Sequence, residues 1–212
     1  MDNIDIAKSI SYYSYLFMVM LLTGMRIGEA LALRWTREIN IKNGIKNSQD
    51  IDFDYMKIHI QERYYKGRFD IPKTSGFVRS VDMNPTLSVL LKKWKLMCPQ
   101  STFVFPNRSA GVANYESVTD AFKTFLKKCG IKFKPIHILR NTNASIRLKA
   151  NQPITYVAHQ LGHANPEITL RIYSHLIPQD GEFTKQQVLA LENTIANFRN
   201  QNPIRKPLEM SK

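Results

Sequence analysis

The chain has 212 residues, of which 43% are hydrophobic, so it can bury the core of one sizeable domain and is not a disordered polymer. Thirty lysines and arginines oppose 17 aspartates and glutamates, which gives a net charge of +13. A surplus of this size favours a polyanionic partner such as nucleic acid over an anionic membrane or no partner. Two cysteines are too few for a disulfide framework or a cysteine-rich zinc site.

The apolar stretch near the N-terminus predicts a buried helix and not a membrane span. It runs from Tyr12 to Leu22, which is shorter than the roughly 20 residues that a span requires. Asp2 and Asp5 precede it, so the charge pattern of a signal peptide is missing. We therefore expect a cytoplasmic protein without a membrane partner.

In chain order, the first predicted elements are a helix over about 5–22, which ends at Thr23-Gly24, and a second helix over about 26–35. The polar stretch 40–54 is expected to be irregular. Three short strands are then predicted near 55–61, 68–73 and 77–83, with turns at Gly67 and Ser75-Gly76.

The remainder of the chain is predicted to be helical. Pro85 begins a helix that ends near Met97, and the later helices are expected over about 115–129, 137–150, 153–161, 166–174 and 184–198. The fold class is therefore α+β, mainly α-helical, with one small three-stranded antiparallel sheet.

Three familiar site patterns fail on inspection. Asp50, Asp52 and Asp54 begin like a calcium loop, but the glycine and the glutamate that such a loop needs are missing. His159 and His163 have the spacing of a helical zinc pair without its catalytic glutamate. A glycine-rich loop that ends in Lys-Ser or Lys-Thr is also missing, so no metal or nucleotide cofactor is expected.

Cationic side chains and imidazoles remain as candidates. Glu29 follows Arg26 by three residues, so the two share a helix face and Glu29 can fix the guanidinium; the alternative is an ordinary surface ion pair. His137 and Arg140 share a face near a helix N-terminus, which suits anion binding, although this motif taken alone slightly favours a surface helix with a chance histidine.

Three further residues carry little weight singly. His163 ends a helix in Leu-Gly-His, and Tyr173 follows ten residues later in Arg-Ile-Tyr-Ser-His. Lys73 lies at the tip of the predicted hairpin. A tyrosine is usually core filler and a lysine at a turn is usually solvated, so only the combination is informative.

The order of these motifs over about residues 10–178 resembles the tyrosine recombinases, the phage-type integrase family. The matching segments are 23–31 (Thr-Gly-Met-Arg-Ile-Gly-Glu-Ala-Leu), Lys73-Thr74-Ser75 with Arg79 after it, 137–140 (His-Ile-Leu-Arg), 161–163 (Leu-Gly-His) and 173–176 (Tyr-Ser-His-Leu). Five separated motifs in this order are specific, whereas one His-x-x-Arg is not.

The resemblance implies a DNA breaking and rejoining enzyme of that fold. Tyr173 is the implied nucleophile, which forms a covalent link to a DNA 3′-phosphate. Arg26 and Arg140 are the implied ligands of the non-bridging oxygens of that phosphate, and Glu29 supports Arg26.

The resemblance also implies that Lys73 acts as general acid, that His137 helps to move the proton of Tyr173, and that His163 hydrogen-bonds the phosphate. The implied partner is double-stranded DNA, on which the full-length protein assembles as a tetramer during integration or excision of a mobile element.

The match departs from the family at Ile138 and Asn141, where many relatives carry Asp and His. We expect a catalytic domain over 1–180 and a C-terminal helix and tail over 181–212 that can pack on a neighbouring protomer or on its own domain. Arg26 lies too early for a separate DNA-binding domain before it, so an isolated catalytic domain is expected. The alternatives are a type IB topoisomerase, a non-catalytic DNA-binding module and a basic scaffold protein.

Overall fold

The computed structural model describes residues 12–41, 44–71, 77–98, 100–107 and 109–174, and of 38–41 and 44–47 it describes the backbone alone. Within these ranges the chain forms seven α-helices and seven short β-strands, so the predicted α+β class, mainly helical, is confirmed. None of the helices in these ranges has the length and apolar character needed to cross a membrane.

The first two helices are α1 (Ser14–Thr23) and α2 (Ile27–Ala32). α1 ends where predicted, because Gly24 adopts the left-handed conformation with φ of 72°. A Cβ atom at Gly24 would lie 2.6 Å from Leu161 Cδ2, so the turn also requires the close approach that only glycine allows. α2 is shorter than the predicted helix over 26–35, since Leu33 is already extended.

The predicted irregular stretch 40–54 is wrong in part. β1 (Arg37–Ile41) and β2 (Gly44–Ser48) form an antiparallel hairpin, and β3 (Ile51–Asp52) follows it. Ile39 and Ile41 alternate with polar residues in β1, but the other residues of the hairpin are mostly polar, so the apolar pattern on which strand prediction relies is short.

A three-stranded antiparallel sheet is present, and two of its strands coincide with those predicted near 55–61 and 77–83, whereas the third differs. Its order is β3, then β4 (Lys57–Ile60), then β7 (Arg79–Asp82). The predicted strand over 68–73 instead appears as β6 (Arg68–Asp70), which pairs with β5 (Arg63–Tyr65) in a separate hairpin. Strand pairing depends on long-range packing, so the positions of two strands of this sheet were predicted, whereas the pairing of β6 with β5 was not.

The later helices agree with the prediction to within about one residue at each end. They are α3 (Pro85–Met97), α4 (Tyr115–Lys128), α5 (Ile138–Lys149), α6 (Ile154–Leu161) and α7 (Pro166–Tyr173). Local signals explain this agreement: Asn84 caps α3 by accepting from the backbone of Leu87, and Gly162 ends α6 with φ of 70°. The predicted helix over 184–198 lies outside the described residues.

The apolar core lies between the N-terminal helices, the three-stranded sheet and α4. It includes side chains that are almost wholly inaccessible, among them Leu16, Met20, Leu31, Phe105 and Phe122. Four charged side chains are buried as well: Asp50, which pairs with Arg37, and a group of three formed by Glu29, Arg79 and Arg140. Buried charges require partners, so these three direct attention to one region of the fold.

Candidate functional site

The first arginine motif is built around the start of α2. Arg26 is the N-cap residue, and Glu29 reaches back to accept from the Arg26 backbone nitrogen through Oε2 at 2.8 Å. Glu29 Oε1 also accepts from Arg26 Nη1 at 3.0 Å, as their spacing predicts. Glu29 is 1% exposed and the Arg26 side chain is 41% exposed. One edge of the Arg26 guanidinium is therefore fixed, while the rest of it is accessible.

Glu29 has a second, fully buried partner. Arg79, on β7, donates through Nη1 and Nη2 to the two carboxylate oxygens at 3.1 and 2.9 Å. Burial alone would raise the pKa of Glu29, but the charges and hydrogen bonds of Arg79 and Arg26 outweigh it and hold the pKa below its ordinary value. Arg79 had no predicted role. A usable signal was its two-residue spacing from buried Val81, which places both on the inner face of β7.

Arg140, on α5, is 2% exposed and contacts both neighbouring motifs. Its Nη1 donates to the carbonyl oxygens of Gly24 at 2.9 Å and Leu161 at 2.6 Å. Its Nη2 is buried and has no hydrogen-bond partner among the described residues. Burial, followed by the nearby charge of Arg26, lowers the pKa of Arg140 to about 9.

Two imidazoles lie near these arginines. His137 is the N-cap residue of α5, and burial together with Arg140 and Arg26 lowers its pKa. The Nδ1 atom of His163 is 2.7 Å from Thr169 Oγ1. Burial, then Arg140, Arg26 and further positive groups lower the pKa of His163 to about 4. Both rings are therefore mainly neutral at pH 7.

Tyr173 is the last residue of α7 and is 5% exposed. Its hydroxyl donates to Asn141 Oδ1 at 2.8 Å. Burial raises the pKa of Tyr173, and the charge of Arg140 acts in the opposite direction. Asn141 was noted in the sequence only as a departure from the family pattern. Its position directly after Arg140 was the one available signal that it lies near the site.

A cavity of about 400 Å³ opens beside the two arginine motifs. Arg26, His137 and Arg140 line it together, and α4 contributes a wall that includes Asp120 and Lys123. Two guanidinium groups and one imidazole around a cavity are suited to bind an oxyanion.

The structure does not bring every candidate to this cavity. His163 and Tyr173 are electrostatically coupled to Arg140 but are not among the residues that line the cavity. Lys73 lies outside the described residues, so its predicted place at a hairpin tip stays a prediction.

Comparisons with known proteins find relatives among recombinases and transposases. The chain is 27% identical over 191 residues to a XerC-like tyrosine recombinase of Caldanaerobacter subterraneus, covering 77% of this chain and 46% of the relative. It is also 27% identical to transposase A of transposon Tn554 from Staphylococcus aureus, covering 80% and 46%. The chain thus spans about half the length of these relatives.

The fold is shared with the integrase of transposon Tn1549, solved in complex with transposon right-end DNA. The TM-score is 0.64 at 18% identity, and the match covers 87% of this chain and 59% of the integrase chain. The sequence pattern of the phage integrase family matches residues 1–180. The resemblance seen in the motifs is therefore confirmed, and the chain belongs to the phage integrase family.

Proposed function

We propose that this chain is the catalytic domain of a site-specific DNA recombinase, which cleaves and rejoins DNA through a covalent 3′-phosphotyrosine at Tyr173. The observation that carries the proposal is the unpartnered Nη2 of Arg140, buried beside a cavity that Arg26 and His137 also line. A buried charged donor without an acceptor is costly, by about 1–3 kcal/mol, and a phosphate oxygen is the acceptor that fits it.

The electrostatics favour a phosphodiester in particular. Negative charge grows on the non-bridging oxygens as a nucleophile attacks phosphorus, and fixed guanidinium groups stabilise that charge without having to reorganise. Arg26, Arg79 and Arg140 oppose a single carboxylate, that of Glu29, so this cluster keeps a positive surplus. The surplus is buried or half-buried, where screening by solvent and salt is weak.

The proposed reaction balances without a cofactor. The Tyr173 oxygen attacks phosphorus, its proton passes to the neutral ring of His137, and the bond from phosphorus to the 5′-oxygen breaks. Lys73 protonates the leaving 5′-oxygen, a role that rests on the family resemblance. The phosphotyrosine ester retains the energy of the broken bond, so a DNA 5′-hydroxyl can reverse the step and rejoin a strand.

His163 and Tyr173 have defined starting positions for this chemistry. Thr169 can donate its hydroxyl hydrogen to His163 Nδ1, which leaves the proton of the neutral ring on Nε2, available to a phosphate oxygen. Tyr173 must leave Asn141 Oδ1 before it can attack. We therefore infer that DNA binding is accompanied by a change at the end of α7.

Double-stranded DNA is the proposed partner, with self-association into a tetramer on DNA in the full-length protein. The net charge of +13 and the DNA complex of the Tn1549 integrase support the first part. Integration or excision of a mobile element is the proposed biological role, since the similar transposase A belongs to a transposon.

A pool of nicked duplexes with randomised sequence around the nick tests the proposal. A cleaved strand that lost its short leaving fragment stays attached, so we expect a covalent protein–DNA adduct that denaturing gels resolve. Tyr173→Phe should form none. Adducts in Tyr173→Phe would show that the nucleophile is misassigned.

The alternatives give other outcomes in the same experiment. Salt-sensitive DNA binding without any adduct would indicate a non-catalytic DNA-binding module. Adducts that are never passed to a second duplex would favour a topoisomerase. Absence of both adducts and salt-sensitive binding would favour a scaffold protein and contradict the proposal.

A further inference from the structure

We propose that Arg79 is a positioning residue for this reaction. Its guanidinium joins the Glu29 carboxylate to the last turn of α6, and so fixes the positions from which Arg26 and His163 contact the phosphate. The inference rests on the function proposed above. It assigns a role to a residue that does not line the cavity and does not touch the substrate.

The first link runs through Glu29. Each carboxylate oxygen accepts from both arginines: Oε1 from Arg79 Nη1 and Arg26 Nη1, and Oε2 from Arg79 Nη2 and the Arg26 backbone nitrogen. With four donors on two oxygens, the carboxylate cannot turn without losing bonds. The edge of Arg26 that faces Glu29 is therefore held by a group that Arg79 has fixed.

The second link runs to the Leu-Gly-His motif. Arg79 Nε donates to the carbonyl oxygen of Gln160 at 3.1 Å. A Cβ atom at Gly162 would lie 2.6 Å from Arg79 Cζ and Nη1, so the turn packs directly on the guanidinium plane. His163 is the next residue. The orientation of its ring therefore depends on a turn that rests against Arg79.

The charge of Arg79 matters as much as its shape. Without it, Arg26 would be the remaining ion-pair partner of the buried Glu29 carboxylate among the described residues, and that pair would be close to neutral. Arg79 neutralises Glu29 from the inner side, so the Arg26 charge stays available to an external anion. The planar fork is also required, because a lysine ammonium cannot reach both carboxylate oxygens and the Gln160 carbonyl at once.

Arg79→Lys tests the proposal, since it keeps the charge and removes the fork. Arg37→Lys is the matched control: Arg37 binds both oxygens of Asp50, as Arg79 binds both oxygens of Glu29, and it also pairs with Glu62 and is 13% exposed. Within the described ranges, no ion pair joins Arg37 to a motif residue. Two quantities are measured, the affinity for inorganic phosphate by calorimetry and the single-turnover rate of adduct formation at saturating duplex.

We expect Arg79→Lys to bind duplex within about twofold of the wild type, to bind phosphate several-fold more weakly, and to form the adduct about 10- to 100-fold more slowly. If Arg79 is a positioning residue, the slower adduct formation must appear as a smaller single-turnover rate constant. A purely structural defect would leave part of the protein unfolded and reduce the amplitude of the burst instead.

The double variant Glu29→Gln/Arg79→Met covers the case in which Arg79→Lys does not fold, because it removes both charges of the buried Arg79–Glu29 pair and leaves neither of them unpaired. It should fold and form the adduct slowly. Wild-type rate constants in either folded variant, matching Arg37→Lys, would overturn the positioning role and leave the proposed function standing. A wild-type chain that neither binds phosphate nor forms an adduct would overturn the proposed function, and the inference with it.

Discussion

Arg79 and Arg140 are both buried arginines that contact the end of the same helix, yet their surroundings are opposite. Arg79 donates to the Gln160 carbonyl and to both oxygens of Glu29. Arg140 donates to the next carbonyl, that of Leu161, and to Gly24, but one of its terminal nitrogens is unpartnered within the described ranges. One guanidinium is neutralised inside the protein, and the other is only partly satisfied.

This difference indicates that the charge of Arg79 serves to fix the structure, whereas the charge of Arg140 is available to a ligand. A buried ion pair such as Arg79–Glu29 contributes mainly by fixing geometry, because its attraction is largely offset by desolvation. A buried guanidinium that faces no carboxylate of its own is unfavourable until an anion arrives, and its binding energy can then be used on that anion. The predictions below test this division.

The largest effect is expected when Arg140, the guanidinium with one unpartnered nitrogen, is removed. Arg140→Met should slow adduct formation on the order of 10³-fold, because it deletes a donor to the charge that develops at phosphorus. Inorganic phosphate should also stop raising the melting temperature, as ligand linkage requires. Single-turnover gels and thermal melts measure the two.

Arg147→Met is the matched control for that experiment. Arg147 lies on the same helix and bonds to Asn143 and Gln152, away from the cavity. A loss of cleavage in Arg147→Met as large as that in Arg140→Met would show that the effect belongs to the helix and not to the unpartnered guanidinium.

Stability should show the reverse order. Arg79→Met should lower the free energy of unfolding by about 3–5 kcal/mol, because it leaves Glu29 buried with half of its partners. Arg140→Met should cost about 1–2 kcal/mol, since it exchanges two hydrogen bonds for the removal of an uncompensated charge. Urea unfolding measures both.

Adding Glu29→Gln to Arg79→Met should recover part of the lost stability, because the unpaired charge is then removed. Equal destabilisation by Arg79→Met and Arg140→Met would contradict the division between the two arginines.

The pKa of His163 reflects its burial first and then the positive charges of Arg140, Arg26 and Arg79. In the folded chain this pKa, about 4, lies below the ordinary value of 6.5, so the unfolded chain takes up a proton first as pH falls. The stability that His163 contributes is therefore present above pH 6.5 and is lost as pH falls towards 4.

His163→Gln should remove part of this acid dependence, on the order of 1 kcal/mol after allowance for solvent screening. Urea unfolding at pH 7 and pH 4.5 measures it, with the exposed His159→Gln as control. An unchanged difference between the two pH values in His163→Gln would contradict the origin given for the shift.

The smallest effect is expected at Asn141. Asn141→Ala removes the acceptor that holds the Tyr173 hydroxyl, so the nucleophile becomes free at the expense of one hydrogen bond. Adduct formation should become about 2- to 5-fold faster, in line with the net value of such a bond. A tenfold slower reaction would instead place Asn141 among the groups that activate Tyr173.

Local features of the sequence determined most of the helical architecture and the order of the motifs. The start of α3 at Pro85 and the end of α6 at Gly162 are each signalled by residues within one helical turn. Neither boundary depends on a contact with a distant part of the chain, so both could be predicted from the sequence. The pairing of Arg26 with Glu29 is likewise local, because the two residues are three positions apart at the start of α2.

Only the tertiary structure decided which groups are satisfied. Arg79 meets Gln160 from 81 residues away, and Arg140 meets Gly24 from 116 residues away. The β-strand partners and the contact of Tyr173 with Asn141 are decided in the same way. Hydrogen bonds between residues so far apart in the sequence depend on how all the elements pack. Whether a buried donor has an acceptor is decided only when all of its neighbours are in place. The sequence therefore supplied the candidate residues of the site, and the packing decided which charged donor among the described residues was left without a hydrogen-bond partner.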